Sequence, residues 1–149
     1  MNFITPLTLS TLSGHEVMHD MWAERKGDVE HMEIAKWADV FLVYPATVNI
    51  IGKFANGIAD DLLSTVFLAL PFETIKIICP AANTKMYTHP IVRKNIEKLN
   101  LTYWGLRFFG PEEGRLACGD VGLGKASKPR EVVEFVTRAW AEIHSSETK

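Results

Sequence analysis

With 149 residues, the chain has the length for one domain with a substantial core, and 47% hydrophobic against 23% charged residues excludes a disordered main body. A formal net charge of −2, with basic residues scattered among acidic ones, gives no electrostatic footprint for nucleic acid. No apolar run approaches the roughly 20 residues that span a bilayer, and no secretory leader pattern is present. Cys79 and Cys118 show no zinc-type spacing, so a cytoplasmic protein without membrane or nucleic-acid partners is expected.

The first predicted element is a short helix, with Thr5 as capping hydroxyl, Pro6 in its first turn, Leu7, Leu9 and Leu12 along it, and Gly14 as the stop. Val40-Phe41-Leu42-Val43-Tyr44 is a continuous apolar run ending at Pro45, and Ile75-Lys76-Ile77-Ile78-Cys79 repeats the form and ends at Pro80. β-Branched and aromatic runs of this length predict buried strands of a parallel sheet. A helix-length segment follows each: 49–70, broken around Asn56-Gly57, and 91–99, with Pro90 near its first turn. A weaker third strand is predicted over about 102–108, then a Gly-rich stretch over 110–125. The chain ends in an amphipathic helix with an apolar stripe of Val132, Val133, Val136, Ala139, Trp140 and Ile143.

Strand, crossover helix, strand predicts the α/β class. Ligands of open α/β sheets sit beyond the carboxyl ends of the strands. Two similar motifs stand there, Pro45-Ala46-Thr47-Val48-Asn49 and Pro80-Ala81-Ala82-Asn83. Each carries a Pro that stops the strand and an Asn able to donate and accept hydrogen bonds, so the two loops together predict one polar rim.

Several ordered motifs then resemble a known family. His31-Met32-Glu33-Ile34 ahead of Trp37-Ala38-Asp39, the Pro45 to Asn49 motif, and Ala55-Asn56-Gly57-Ile58-Ala59-Asp60-Asp61-Leu62-Leu63 are similar to the homo-oligomeric flavin-containing cysteine decarboxylases. That family includes phosphopantothenoylcysteine decarboxylase and the lantibiotic peptidyl-cysteine decarboxylases. Pro80-Ala81-Ala82-Asn83-Thr84-Lys85-Met86-Tyr87 resembles the family's P-x-M-N-x-x-M-W element, and 116–125 (LACGDVGLGK) its A-C-G-D-x-G-x-G-R segment. The resemblance covers nearly the whole chain and implies a single flavoprotein domain over 1–149. The implied fold is a Rossmann-like or flavodoxin-like parallel sheet with flanking helices. Three departures stand out. The family's opening β-α-β portion with its Gly-Ser phosphate loop is expected to be lacking, since the sequence starts at a stretch similar to F-[VI]-x-P-L-T. Ala82 replaces a Met, and Lys125 replaces an Arg, which keeps the charge but loses the bidentate fork.

The resemblance also implies roles. His31 corresponds to a histidine required for catalysis, and an imidazole titrating near neutrality suits deprotonation of the substrate. Phe3, Ala46, Thr47, Val48, Asn49, Ile50 and Ala81 fall where the family contacts FMN; a strand-ending turn and helix cap would equally explain Asn49. Asn83 and Met86 match the substrate clamp, whose neutral amide orients the departing carboxylate. Lys36 falls where one branch has Arg and would attract an anionic substrate, although a solvated helix face is the commoner reason for a lone Lys. Cys118 matches the residue that protonates the enethiol in the phosphopantothenoylcysteine branch, with Gly119, Gly122 and Gly124 fitting a lid around it. Cys79, at the end of an apolar strand, reads as core.

The implied activity is FMN-dependent oxidative decarboxylation of 4'-phosphopantothenoylcysteine to 4'-phosphopantetheine, an intermediate of coenzyme A synthesis. Hydride transfer from the substrate thiolate to flavin gives a thioaldehyde beta to the carboxylate, carbon dioxide leaves, and the enethiol is reduced. The implied assembly is a homotrimer or dodecamer. Two alternatives stay open: a decarboxylase of peptide C-terminal cysteines, which Ala82 would favour by widening the pocket, and a non-catalytic binding subunit.

Overall fold

The computed structural model describes residues 4–18 and 30–144. Helix α1 (Pro6–Ser13) forms where predicted: Thr5 Oγ1 accepts from the Thr8 amide, and Gly14 ends the helix at φ 71°. Helix α2 (Glu30–Trp37) leads into strand β1 (Val40–Ala46), and α3 (Val48–Asn56) and α4 (Leu62–Ala69) connect it to β2 (Ile75–Pro80). Helices α5 (Thr84–Tyr87) and α6 (Pro90–Thr102) then lead to β3 (Leu106–Phe108). The three strands form a parallel sheet in the order β1-β2-β3, with Val40 opposite Ile75 and Lys76 opposite Leu106. The α/β expectation therefore holds.

Every residue of β2 is buried, as befits a central strand covered on both faces. Ile75, Ile77 and Cys79 face a layer closed by helix α7 (Pro129–His144). Ile78 faces the larger core, built with α3, α4 and α6. At its centre Phe54 and Phe67 stack with ring centroids 3.9 Å apart, and Phe41 and Tyr103 close on Phe67 at 6.0 and 5.1 Å. Such aromatic pairs add about 0.5–1.5 kcal/mol each beyond their burial. The break at Asn56-Gly57 is built from two caps. Gly57 adopts φ 67° after α3, and Asp61 starts α4 through a reciprocal capping box with Ser64.

Four local expectations are corrected. Strand β1 continues through Pro45 to Ala46. It is an edge strand whose pairing with β2 is irregular between Val43 and Ala46, so the missing proline N–H costs little there. Helix α6 runs to Thr102, and β3 is correspondingly confined to Leu106–Phe108. The Gly-rich stretch is an antiparallel hairpin, β4 (Glu112–Arg115) paired with β5 (Val121–Lys125). Finally, the buried face of α7 is Val132, Phe135, Val136 and Ala139, at i, i+3, i+4 and i+7. Val133 and Trp140 are exposed, by 63% and 45%, and the side chain of Ile143 lies outside the described residues. Phe135 takes the inward place because it stacks on Phe109, which follows β3, with centroids 4.6 Å apart.

Candidate functional site

The carboxyl ends of β1 and β2 sit side by side because the sheet is parallel, and their loops are tied directly. The Ala81 amide donates to the Ala46 carbonyl at 2.8 Å. Ala46 is fully buried, so it serves the rim through its backbone. Two clefts open around this tie.

The first, of about 1180 Å³, lies over the end of β1 and is lined by Thr47, Asn49 and Ile50 from the start of α3. Phe41 and Val43 of β1, Leu62 and Val66 of α4 and Trp37 of α2 supply apolar walls. Thr47 caps α3, its hydroxyl accepting from the Ile50 amide at 3.3 Å, which fixes the first turn of the helix at the strand end. Asp61 reaches the same cleft from the α4 cap. Burial works to raise its carboxyl, but Lys53 Nζ at 2.6 Å and the Ser64 amide and hydroxyl hold it below 3.8.

The second cleft, of about 400 Å³, lies at the end of β2 and is roofed by the hairpin. Ala81, Ala82 and Asn83 line it from the sheet side; Arg115, Cys118 and Lys125 line it from the hairpin. The Asn83 side chain does two things at once. Its Oδ1 accepts from the Lys85 amide at 2.9 Å, capping α5, and its Nδ2 donates to Cys118 Sγ at 3.2 Å. Because the cap engages the oxygen, the amide is oriented with its NH₂ toward the cysteine. Cys118 Sγ in turn lies 3.5 Å from Asp120 Oδ2 as a donor. The hairpin is fastened to the loop it covers. The Ala82 amide donates to the Gly124 carbonyl at 3.0 Å, and a Cβ on Gly122 would meet Thr84 Oγ1 at 2.5 Å. Two of the three glycines around Cys118 are thus accounted for by close approach.

The structure gathers the predicted residues unevenly. Asn83, Ala81 and Cys118 share the second cleft, and Thr47, Asn49 and Ile50 share the first. His31 is half-buried on α2, whose Glu33, Ile34 and Trp37 line the first cleft, but His31 itself lines neither. Lys36 is exposed on the last turn of α2, Met86 is 52% exposed on α5, and Val48 is half-buried; none of the three lines either cleft. Phe3 lies outside the described residues. Cys79 is core, as expected, and burial pushes its thiol up to about 11. Asp120 and Arg115 were missed at the level of sequence. The signal for Asp120 was the Cys-Gly-Asp spacing, which returns the carboxylate to the thiol across one glycine. Among the described residues no cluster of His, Cys, Asp and Glu suits a metal ion, and no helix is long and apolar enough to cross a membrane.

Residues 1–141 match the family model described as Flavoprotein. The coenzyme A biosynthesis bifunctional protein CoaBC of Bacillus subtilis is 45% identical over 145 residues, covering 97% of this chain and 35% of that protein. The chain therefore spans about a third of the length of such bifunctional relatives. A probable phosphopantothenoylcysteine decarboxylase of Streptococcus mutans is 44% identical over 82% of this chain and 68% of its own length. Among solved structures, a PPC decarboxylase variant complexed with pantothenoylaminoethenethiol superposes with a TM-score of 0.77 at 29% identity, over 84% of this chain and 70% of that one. The epidermin biosynthesis protein EpiD from Staphylococcus aureus gives 0.71 at 29% identity, over 89% and 76% of the two chains. A parallel sheet with both loop motifs at its carboxyl end, matched along almost the whole sequence, leaves one assignment: the chain belongs to the flavoprotein family.

Proposed function

We propose that this protein decarboxylates a cysteine-derived acid with FMN as cofactor, its substrate being 4'-phosphopantothenoylcysteine and its product 4'-phosphopantetheine. The observation that carries this proposal is the Asn83 Nδ2 to Cys118 Sγ contact at 3.2 Å. It joins the residue suited to hold the carboxylate with the thiol suited to protonate the enethiol.

The first cleft fits a flavin. A planar ring with one apolar and one polar edge suits apolar walls from Phe41, Val43 and Leu62 that give way to Thr47 and Asn49 at the start of α3. When bound there, FMN supplies the two-electron oxidation that converts the substrate thiolate to a thioaldehyde, an electron sink for loss of carbon dioxide. The protein's own residues orient and protonate. Thr47, Val48, Asn49, Ile50 and the loop at Ala46 and Ala81 hold the cofactor, with Phe3 added. Asn83 donates through Nδ2 to the carboxylate and Cys118 gives a proton to the enethiol. The family resemblance assigns His31 to deprotonation and Met86 and Lys36 to the remainder of the substrate, although none of these three lines either cleft in the single chain. The proposal includes homo-oligomeric assembly, which Trp37, 84% exposed at the lip of the first cleft, suits as a contact. It also includes a cytoplasmic location, in keeping with two free cysteines.

The full chain, mixed with FMN, is expected to acquire a bound flavin spectrum and to release carbon dioxide from 4'-phosphopantothenoylcysteine, with 4'-phosphopantetheine as the product. His31→Asn is expected to keep the flavin and lose carbon dioxide release. A chain that stays colourless with added FMN refutes the proposal in favour of a binding subunit. Accumulation of an oxidised enethiol peptide from a peptide C-terminal cysteine refutes it in favour of the peptidyl branch.

A further inference from the structure

We propose that Asp120 is a positioning residue for Cys118, its carboxylate accepting the thiol hydrogen and keeping the proton on Sγ within the cleft until the substrate takes it. The role in catalysis rests on the decarboxylase proposal above; the contact itself does not.

The geometry comes from a turn at the hairpin tip. The Gly119 amide donates to the Leu116 carbonyl at 2.9 Å, and the Leu116 amide donates to the Asp120 carbonyl at 2.8 Å. This closes 116–120 into a loop with Gly119 at φ 92°, a conformation a side chain would resist. Cys118 and Asp120 therefore emerge on either side of one glycine, with Sγ donating to Oδ2 at 3.5 Å. From the opposite side Asn83 Nδ2 donates to the same sulfur at 3.2 Å, its orientation locked by the α5 cap. The sulfur thus lies between a hydrogen-bond acceptor on one side and a hydrogen-bond donor on the other. The other charged groups on this cleft, Arg115 of β4 and Lys125 of β5, are cationic, as is Lys85 in the adjoining α5. Asp120 is the carboxylate in contact with the sulfur that opposes them.

This arrangement suits a proton donor that must recover. In the second half-reaction the S–H bond breaks and a C–H bond forms on the enethiol carbon, while the S–H electron pair stays on Sγ. The hydride for the neighbouring carbon would come from reduced flavin when the cofactor is bound, which would return it to its oxidised form. The thiolate left behind accepts from Asn83 Nδ2, and water returns its proton.

The test reads the thiol directly, without flavin or substrate. Full-length wild type, Asp120→Asn, Asp120→Glu and Asn83→Ala are alkylated with iodoacetamide across a range of pH, with Cys118→Ser as the blank. Cys79 contributes little, being buried with its thiol raised to about 11. Asp120→Asn is expected to alkylate about three- to tenfold faster at neutral pH, its rate curve displaced to lower pH. That range combines one charge removed at contact distance on an exposed site with the lower nucleophilicity of a more acidic thiol. Asp120→Glu is expected to follow wild type, and Asn83→Ala to move the opposite way. Coincident curves for wild type and Asp120→Asn, or a displacement to higher pH, overturn the proposal. In the FMN-loaded enzyme, Asp120→Asn is also expected to raise the ratio of enethiol to saturated product; an unchanged ratio overturns the catalytic role. Wild type that releases no carbon dioxide refutes the decarboxylase proposal instead, and the alkylation curves still decide the contact.

Discussion

Lys76 is the second residue of β2, at 1% exposure the one charged side chain among the fully buried residues of the described core. Its ammonium donates to the carbonyls of Pro71, Phe72 and Thr74 at 2.8, 3.3 and 3.0 Å and lies 5.9 Å from the Tyr103 ring centroid. It therefore pins the turn that leads from α4 into β2. Lys76→Met keeps the apolar stem and removes the donor. The Pro71 carbonyl still accepts from the Thr74 amide at 3.3 Å, and Phe72 is 74% exposed, leaving its carbonyl open to water. The Thr74 carbonyl is the one that loses a buried partner, a cost of about 1–3 kcal/mol. Relief of the buried charge offsets part of it, so a net loss of about 1–2 kcal/mol is expected, or a Tm lower by roughly 3–6 °C for a chain of this size. The pH dependence has a definite sign. Burial lowers Lys76 from 10.5, so as pH rises below that value the folded protein sheds this proton before the unfolded chain does. The unfolded state then binds more protons, and wild type gains stability with pH in a way the variant cannot. Thermal and urea unfolding of both proteins, followed from neutral pH toward 10.5, should show a gap that widens. A Met variant as stable as wild type at neutral pH, or a gap that narrows as pH rises, refutes the reasoning.

Two further substitutions probe the roof of the second cleft. Gly124 has φ 152°, and a Cβ there would run into the Ala82 carbonyl oxygen, so Gly124→Ala should lift the hairpin at a cost on the order of 1–3 kcal/mol. Limited proteolysis should then cut within 112–125 faster than in wild type, and an unchanged cleavage rate would contradict the docking. Asn83→Asp keeps the α5 cap through a carboxylate oxygen but replaces the Nδ2 donor with an acceptor. Tm should hold, while kcat/KM for carbon dioxide release falls roughly 10- to 100-fold, the worth of one hydrogen bond to a charged group; retained activity would remove Asn83 from the carboxylate.

The fold was legible where local chemistry and tertiary burial agree. Thr5, Pro6 and Gly14 bound α1 as capping rules predict, and the apolar runs of β1 and β2 reflect burial against neighbours on both sides of the strand. The misreadings arose where a distant contact decides. Pro45 looks like a terminator in isolation, but an edge strand with irregular pairing tolerates it. Val133 and Trp140 fit a helical stripe as well as Phe135 does, and only the Phe109 ring, brought beneath α7 by β3, selects Phe135. The hairpin over 112–125 escaped detection because Glu-Glu-Gly-Arg carries no apolar side chain and Val-Gly-Leu-Gly-Lys offers only two, spaced by glycines that read as loop. They are held by pairing with each other and by backbone contact with the loop at Ala82, neither of which leaves a periodic trace.

The same distinction governs the site. Two prolines and two asparagines at strand ends suggested a single polar rim, and the Ala81 to Ala46 hydrogen bond does join the loops. Yet Asn49 and Asn83 line different clefts, because each asparagine belongs to the helix that follows its own strand. Asn83 acquires its chemical context from a residue 35 positions away in the chain. Which end of its amide faces the cleft, by contrast, is settled locally. That choice is made by the Lys85 amide, which takes the oxygen to start a four-residue helix. A capping bond and a site are therefore not competing explanations for this asparagine. The cap aims the donor, and the donor is what a carboxylate or a thiolate can use.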